Sequence, residues 1–419
     1  MKTGDIQITL PTSKSLSIRW LLANHLCGVR VKLAGISDAA DVKALKRILA
    51  KFSLTPGKPQ DDDTEVRLHC GESATVARFL LALLATRPLS SVVLEGDPSL
   101  CQRPMAPLVK ALRQLGGNQI EYLGVEGCLP IRVTGGWPEM KLVEIDPSQS
   151  GQFVSALVIA GAALPRGLHV RMTEPPPSRP YIEMTCSMLK QAGADNDYKP
   201  NHTTIRIEPF AGRGPANTVQ IERDWSAAAF FYMAAVFLPR RRIRLVGLSK
   251  NSLQGDNVAL NLFKMLGVNS VESRSPYRAS RSLVIEGGGE VRPHFIYDFI
   301  DCPDLAIPLA VTCAAMGVEA WLSGIKTLRF KECDRAEALA VELRKMGAEV
   351  ELESNRLHIM PSVLMPRQPV CTYGDHRMAM AFGALSLLFP NLVIDTPDVV
   401  AKSFPDFWQQ LEKIDQQII

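Results

Sequence analysis

Three short segments place carboxylates and cations side by side where helices should begin. Asp301-Cys302-Pro303-Asp304 stands before the apolar run LAIPLAVTCAAMG, and Lys331-Glu332-Cys333-Asp334-Arg335 before AEALAVELRKMG. Gly374-Asp375-His376-Arg377 stands before MAMAFGALSLL. Carboxylates in a first helical turn are favourable by themselves, because they face the positive end of the helix dipole. Cations there are not, so Lys331, Arg335, His376 and Arg377 at helix starts imply an anion that holds them. Four more segments gather hydroxyls, glycines or cations at expected helix starts: PTSKSLSIR (11–19), GESATVAR (71–78), Gln102-Arg103-Pro104-Met105 and DPSQSGQ (146–152). Ser, Thr and Asp in such positions cap free backbone N–H groups. Arg103 directly precedes Pro104, read as a helix-starting proline. Helix N-termini carrying Lys14, Arg19 and Arg103 suit an anionic ligand. The chemistry this suggests is recognition of a polyanion.

The elements that must position these segments recur. LVKALRQLGG ending at Gly116, CSMLKQAGA at Gly193, NLFKMLGV at Gly267 and VELRKMGAEV at Gly347 each read as a helix, a Gly and a strand, at spacings of 77, 74 and 80 residues. Weaker copies are LKRILAKFSL before Thr55 and FWQQLEKI near the end. Leu108, Leu112 and Leu115 have the i, i+4, i+7 spacing of a buried helix face. The Gly is expected to be left-handed, ending the helix without a Cβ clash. Six copies give one supersecondary unit per roughly 70 residues, too long for common solenoids and better suited to pseudo-symmetric domains.

Composition narrows the class. The chain has 419 residues, with 46% hydrophobic and 21% charged content, ordinary for a soluble globular protein of two or more domains. Its +4 charge, from 47 basic and 43 acidic side chains, is too balanced to indicate a nucleic-acid partner. The longest apolar stretch, Ala306 to Leu322, is interrupted by Pro308, Thr312 and Glu319 and is short for a membrane span of about 20 residues. MKTGDIQITL lacks the apolar run of a signal peptide. Nine cysteines without a CxxC pair, Cys27 among them, and seven histidines without an HExxH pattern indicate reduced thiols in the cytoplasm and no metal site.

In order along the chain, SKSLSIR, GESATVARFL, CQRPMAPLVKAL, SQSGQF, SRPYIEMT, KECDR, GDHRMAM and AKSFPDFW resemble the 5-enolpyruvylshikimate-3-phosphate synthases, from about Pro11 to Lys413. The resemblance implies an α/β fold of the two-domain enolpyruvyl transferase type. Each domain would hold three βαβαββ units around a pseudo-threefold axis. The first domain would span residues 13–222 and the second 1–12 plus 223–419, with crossover strands near 12 and 223. The implied activity is transfer of the enolpyruvyl group of phosphoenolpyruvate to the 5-hydroxyl of shikimate 3-phosphate, by addition and elimination through a tetrahedral intermediate. It also implies no cofactor, no metal, no nucleic-acid or membrane partner, and a cytoplasmic monomer.

By motif, the resemblance implies that Lys14, Ala74, Arg103, Gln152, Arg335, Arg377 and Lys402 bind phosphoenolpyruvate. Lys14, Ser15, Arg19, Ser150, Gly151, Gln152, Ser178, Tyr181, Asp304, Thr327 and Lys331 would bind shikimate 3-phosphate. Asp304 would take the proton of the 5-hydroxyl, and Glu332, helped by Lys402, would exchange the proton at the methylene carbon. Lys331 and Arg335 beside Glu332 should favour its ionised form. Ile18, Glu72, Gly151 and Thr327 depart from the family pattern, and Gly151 stands where a second Ser is usual. Ala74 replaces a Gly beside the inhibitor glyphosate, which predicts reduced sensitivity. Two alternatives are weaker. The sister family acting on UDP-N-acetylglucosamine carries a Cys five residues before an Arg-Pro pair, whereas Cys101 lies two before Arg103. A non-catalytic phospho-ligand-binding paralogue would have no reason to keep Asp304, Glu332 and Lys402.

Overall fold

A computed structural model describes residues 5–26, 31–52, 54, 65–212, 218–274 and 281–416. The first four residues, Cys27, Ser53 and Thr55 lie outside them. The chain forms two compact units. One is Lys14–Ile221, here the N-terminal unit; the other joins Met1–Ser13 to Glu222–Ile419, here the C-terminal unit.

Strand β1 (Ile6–Thr9) opens the C-terminal unit. After it, Thr12 bridges Arg223, Ser13 N–H donates to Glu222 O at 2.8 Å, and Asp224 N–H donates to Pro11 O at 2.9 Å. The N-terminal unit starts with α1 (Lys14–Leu26), β2 (Leu33–Ala34) and α2 (Ala40–Lys51). Next come β3 (Val66–His69), α3 (Ala74–Ala85), β4 (Val92–Glu95), α4 (Ala106–Gln114), β5 (Gln119–Tyr122) and β6 (Ile131–Thr134), with sheet order β3-β4-β6-β5. Then follow β7 (Leu142–Ile145), α5 (Gln152–Ala162), β8 (Leu168–Met172), α6 (Arg179–Gln191) and β9 (Thr204–Ile207), in the order β7-β8-β9. Strand β10 (Val219–Gln220) pairs in parallel with β2.

The C-terminal unit resumes with α7 (Trp225–Phe237), β11 (Arg242–Val246), α8 (Ala259–Lys264), β12 (Asn269–Arg274) and β13 (Arg281–Glu286), giving the order β1-β11-β13-β12. After these come β14 (His294–Asp298), α9 (Ala306–Met316), β15 (Glu319–Ser323), α10 (Arg335–Lys345), β16 (Glu349–Leu352) and β17 (Arg356–Met360), ordered β14-β15-β17-β16. Helices α11 (His376–Leu385) and α12 (Phe407–Asp415) close the chain.

One strand pattern explains the repeat in the sequence. In each four-stranded sheet the first pair is parallel and the next two are antiparallel. In the three-stranded sheet, Asn196 bridges Ile207 at the fourth position. Gly116, Gly193, Gly267 and Gly347 all have φ between 70° and 94° and follow a helix. At Gly267 a Cβ would lie 2.7 Å from Gly289 O, so only Gly turns the chain there.

Helices α3, α5, α7 and α9 are apolar on every side and almost wholly buried, as such helices must be. Helices α2, α4 and α12 bury one stripe only. Two readings of helix starts are corrected. Helix α4 begins at Ala106 with Pro107 in its first turn, so Pro104 is not the helix-starting proline. Arg103 instead follows the 3-10 turn Leu100–Gln102 in extended backbone. Lys331 is likewise extended, after the 3-10 turn Lys326–Phe330 and four residues ahead of α10. Neither residue has its backbone in a helical turn.

Candidate active site

The C-terminal unit brings the acidic and basic segments into one network. Asp304 lies in the 3-10 turn Pro303–Leu305 leading into α9, Arg335 is the first residue of α10, and Arg377 is in the first turn of α11. The Arg335 guanidinium is only 1% exposed and reaches three carboxylates. Nη1 donates to Asp304 Oδ1 at 2.6 Å, Nη2 to Glu332 Oε2 at 2.7 Å, and Nε to Asp375 Oδ2 at 2.6 Å. Lys331 Nζ lies 3.3 Å and Arg377 Nη2 3.2 Å from Asp304, while Lys402 Nζ lies 3.1 Å from Glu332. Four cations thus face three carboxylates. Charge-assisted contacts of this length are the strong kind.

These contacts correct the expectation about helix starts. Arg335 and Arg377 are held where the dipole disfavours them by carboxylates of the chain itself, not only by a ligand. Asp375 also caps α11, accepting from Arg377 N–H at 2.8 Å. The Glu332 carboxylate meets Arg335 and Lys402, while Lys331 pairs with Asp304. Burial works to raise the Asp304 carboxyl, but Arg377, Lys331 and Arg335 together outweigh it and hold it well below the usual carboxylate range. Burial pushes the Asp256 carboxyl up, with Arg377 opposing and Asp304 adding to it; Ser226 Oγ donates to Asp256 Oδ2.

Lys402 ends the 3-10 turn Pro397–Lys402. The AKSFPDFW segment anchors it: Phe404 and Phe407 pack on Phe231 at centroid distances of 6.0 and 6.1 Å, and Phe407 also meets Phe230 edge-on. Thr327, in the turn before Lys331, has a buried hydroxyl with no protein partner among the described residues.

The N-terminal unit assembles a second set. Lys14 opens α1 and its Nζ pairs with Asp41 at 2.9 Å. Arg19, one turn on, is buried: Nη1 donates to the Ser15 carbonyl at 3.0 Å, Nε to Thr185 Oγ1 at 2.7 Å, and the guanidinium stacks on Phe79. Burial lowers its pKa to about 10, so it stays charged at neutral pH. No carboxylate among the described residues pairs with Arg19. A buried cation so placed calls for an anion.

Arg78 ties three motifs together. Its Nη1 donates to Ser150 Oγ at 3.2 Å and Gln152 Oε1 at 2.9 Å, and Nη2 to the Pro104 carbonyl at 2.9 Å. Gln152 opens α5 and its N–H donates to Ser150 Oγ at 3.2 Å. A Cβ on Gly151 would lie 2.5 Å from Pro177 O, which explains why this chain lacks the Ser there. Ser178 has left-handed backbone (φ 56°) before α6, and Tyr181 N–H donates to its carbonyl at 3.0 Å. Ala74 is the buried first residue of α3, capped by Ser73 Oγ. Arg103 is buried beside the Pro104 carbonyl that Arg78 holds.

The sequence did not single out Asp41, Arg78, Asp375 or Asp256, which the structure sets against the predicted site residues Lys14, Gln152, Arg335 and Arg377. Arg78 and Asp375 stood inside quoted motifs, and a lone Arg within an apolar helix was the available signal. Asp41 and Asp256 had none.

A family model described as EPSP synthase (3-phosphoshikimate 1-carboxyvinyltransferase) matches residues 3–411. A 3-phosphoshikimate 1-carboxyvinyltransferase of Bacteroides fragilis is 34% identical over 409 residues, covering 97% of this chain and 94% of the relative. One of Erwinia tasmaniensis is 33% identical over 427 residues, covering 98% and 96%. Among solved structures, an EPSP synthase of Acinetobacter baumannii superposes with a TM-score of 0.71 at 23% identity, covering 97% of this chain and 95% of the other. That likeness bears on the fold.

Proposed function

The chain belongs to the EPSP synthase family, and from that premise we propose that it moves the enolpyruvyl group of phosphoenolpyruvate to the 5-hydroxyl of shikimate 3-phosphate, releasing phosphate. It is a transferase of the shikimate pathway. The two units correspond to the two globular domains of the family, each of three βαβαββ units. From the N-terminal unit, Ser15, Arg19, Ser150, Ser178 and Tyr181 bind shikimate 3-phosphate; Arg103 and the Ala74 backbone bind phosphoenolpyruvate; and Lys14 and Gln152 contact both. From the C-terminal unit, Arg335, Arg377 and Lys402 bind phosphoenolpyruvate, while Lys331 and Thr327 bind shikimate 3-phosphate.

Asp304 accepts the 5-hydroxyl proton as that oxygen bonds to C2 of phosphoenolpyruvate, and Glu332 delivers a proton to C3. This gives the tetrahedral intermediate. Elimination returns a C3 proton to Glu332 while the C2–O bond to phosphate breaks; its electron pair leaves with phosphate, which takes up the proton held by Asp304. Three cations hold Asp304 as a weak base in the unliganded protein. Each ion pair is worth roughly 4 kcal/mol at 4 Å and an effective dielectric of 20. Substrate anions engaging Lys331, Arg335 and Arg377 draw that stabilisation away and strengthen Asp304 as a base.

The observation that supports this most is the single buried guanidinium, Arg335, that joins Asp304 to Glu332. A phosphate-release assay with both substrates tests it. Turnover is expected in the unmutated protein and loss of it in Asp304→Ala and Glu332→Ala; no turnover in the unmutated protein overturns the reading. No helix among the described residues is long and apolar enough to cross a membrane. The eight cysteines among the described residues are all free, which supports a reducing compartment, the cytoplasm. The protein acts as a monomer on these small molecules without a nucleic-acid partner.

A further inference from the structure

Asp375 and Arg377 leave a turn, residues 369–375, whose construction the reaction itself does not require. Tyr373 and Gly374 are both left-handed, with φ of 54° and 68°. For Tyr that conformation is strained and persists only where the surroundings impose it. The restraint comes from Glu342, on α10 two turns beyond Arg335 and only 1% exposed. Its Oε1 accepts from Tyr373 Oη at 2.8 Å, and its Oε2 from Cys371 N–H at 3.2 Å and Lys345 Nζ at 2.7 Å. Lys345 Nζ also donates to the Pro369 carbonyl at 2.9 Å.

The other side of the turn is tied as well. Thr372 N–H donates to Asp395 Oδ1 at 2.9 Å, and Thr372 Oγ1 lies 2.5 Å from Thr396 Oγ1, immediately ahead of the 3-10 turn that carries Lys402. One turn therefore connects the element bearing Arg335, the element leading to Lys402, and Asp375, which bonds Arg335 and caps Arg377. Burial and the Glu342 carboxylate both push the Tyr373 phenol up, so it remains a donor at neutral pH.

We propose that Glu342 and Tyr373 are a pair of positioning residues, whose hydrogen bond sets Asp375 and through it the guanidiniums of Arg335 and Arg377 for phosphoenolpyruvate. The inference rests on the assignment of those two cations made above. Neither Glu342 nor Tyr373 touches the reacting atoms in this scheme. A purely structural pair would affect folding alone; a positioning pair acts on one substrate.

Tyr373→Phe is the decisive variant, because it removes one hydroxyl from a ring that is 40% exposed and contributes little packing. With each substrate varied in turn, KM for phosphoenolpyruvate is expected to rise about tenfold, the size of one hydrogen bond to a charged group. KM for shikimate 3-phosphate stays at the parent value, and the melting temperature falls by a few degrees at most. Glu342→Gln is expected to raise the same constant less, since its carbonyl oxygen can accept from Cys371 N–H and Lys345 Nζ while its N–H₂ donates to Tyr373 Oη. An unchanged phosphoenolpyruvate KM in Tyr373→Phe overturns the proposal, and so do two KM values rising together with a lowered melting temperature. Arg377→Lys separates the two layers. If it leaves the phosphoenolpyruvate KM unchanged, the assignment of Arg377 fails, whatever Tyr373→Phe does.

Discussion

Replacing Asp375 by Asn tests whether the chain's own carboxylates hold the cation cluster. Asp375 is fully buried, and its two oxygens accept from Arg335 Nε at 2.6 Å, Arg335 Nη2 at 3.2 Å and Arg377 N–H at 2.8 Å. Asn keeps the volume and one carbonyl oxygen. That oxygen can serve Arg335 Nη2 and the α11 cap, but the amide N–H₂ then faces Arg335 Nε, donor against donor. Removing one partner of a buried pair costs about 3–5 kcal/mol. Arg335 retains Asp304 and Glu332, so the lower figure, about 3 kcal/mol, is expected. For a unit of this size that corresponds to a melting temperature lower by about 6–12 °C. Asp375→Ala also loses the cap and should melt lower still, by about 1 kcal/mol more. Scanning calorimetry of the three proteins at pH 7 measures this. An Asn variant melting at the parent temperature would refute the argument, because Arg335 would then not depend on that carboxylate.

Other expectations concern separate parts of the molecule. The Asp304 carboxyl is depressed in the folded protein, so its contribution to stability is complete above the unfolded value, near 3.9, and is lost as pH falls towards the lower folded value. The stability gap between the parent and Asp304→Asn should be constant from neutral pH into the weakly acidic range and shrink only below about pH 4; a gap that closes between neutral pH and 5 contradicts this. Gly151→Ser should lose about 1–3 kcal/mol, because its Cβ lies 2.5 Å from Pro177 O and the backbone must move. It should also raise KM for shikimate 3-phosphate, and denaturation and kinetics matching the parent would remove that steric account. Ala74→Gly should make turnover more sensitive to glyphosate; inhibition of the parent at low micromolar inhibitor, unchanged in the variant, sinks the role given to the methyl group.

Much of the fold was legible because its signals are local. The helix face of Leu108, Leu112 and Leu115 and the Gly that ends each helix are set by neighbours within a turn or two. The recurrence of that pattern reflects one strand order used in successive sheets. Where local signals were ambiguous, the reading slipped: Pro104 resembled a helix-starting proline, yet Pro107 holds that place. Lys331 was expected in a helix start and is extended. The ordered motifs likewise singled out Asp304, Glu332, Arg335 and Arg377, which the structure gathers into one network.

The sequence alone therefore determined where most helices form, that the pattern repeats, and that cations and carboxylates gather at helix starts. Only the tertiary structure decided who pairs with whom. Arg335 stands forty positions from Asp375, Arg78 is seventy-four from Gln152, and Arg19 is far from Thr185. No periodicity links such residues, since helical and strand spacing correlate only positions a few residues apart. Folding brings them together because apolar helices must be buried, and burial places their polar first turns against one another. There, a guanidinium that looked as if it needed a ligand finds carboxylates of its own chain.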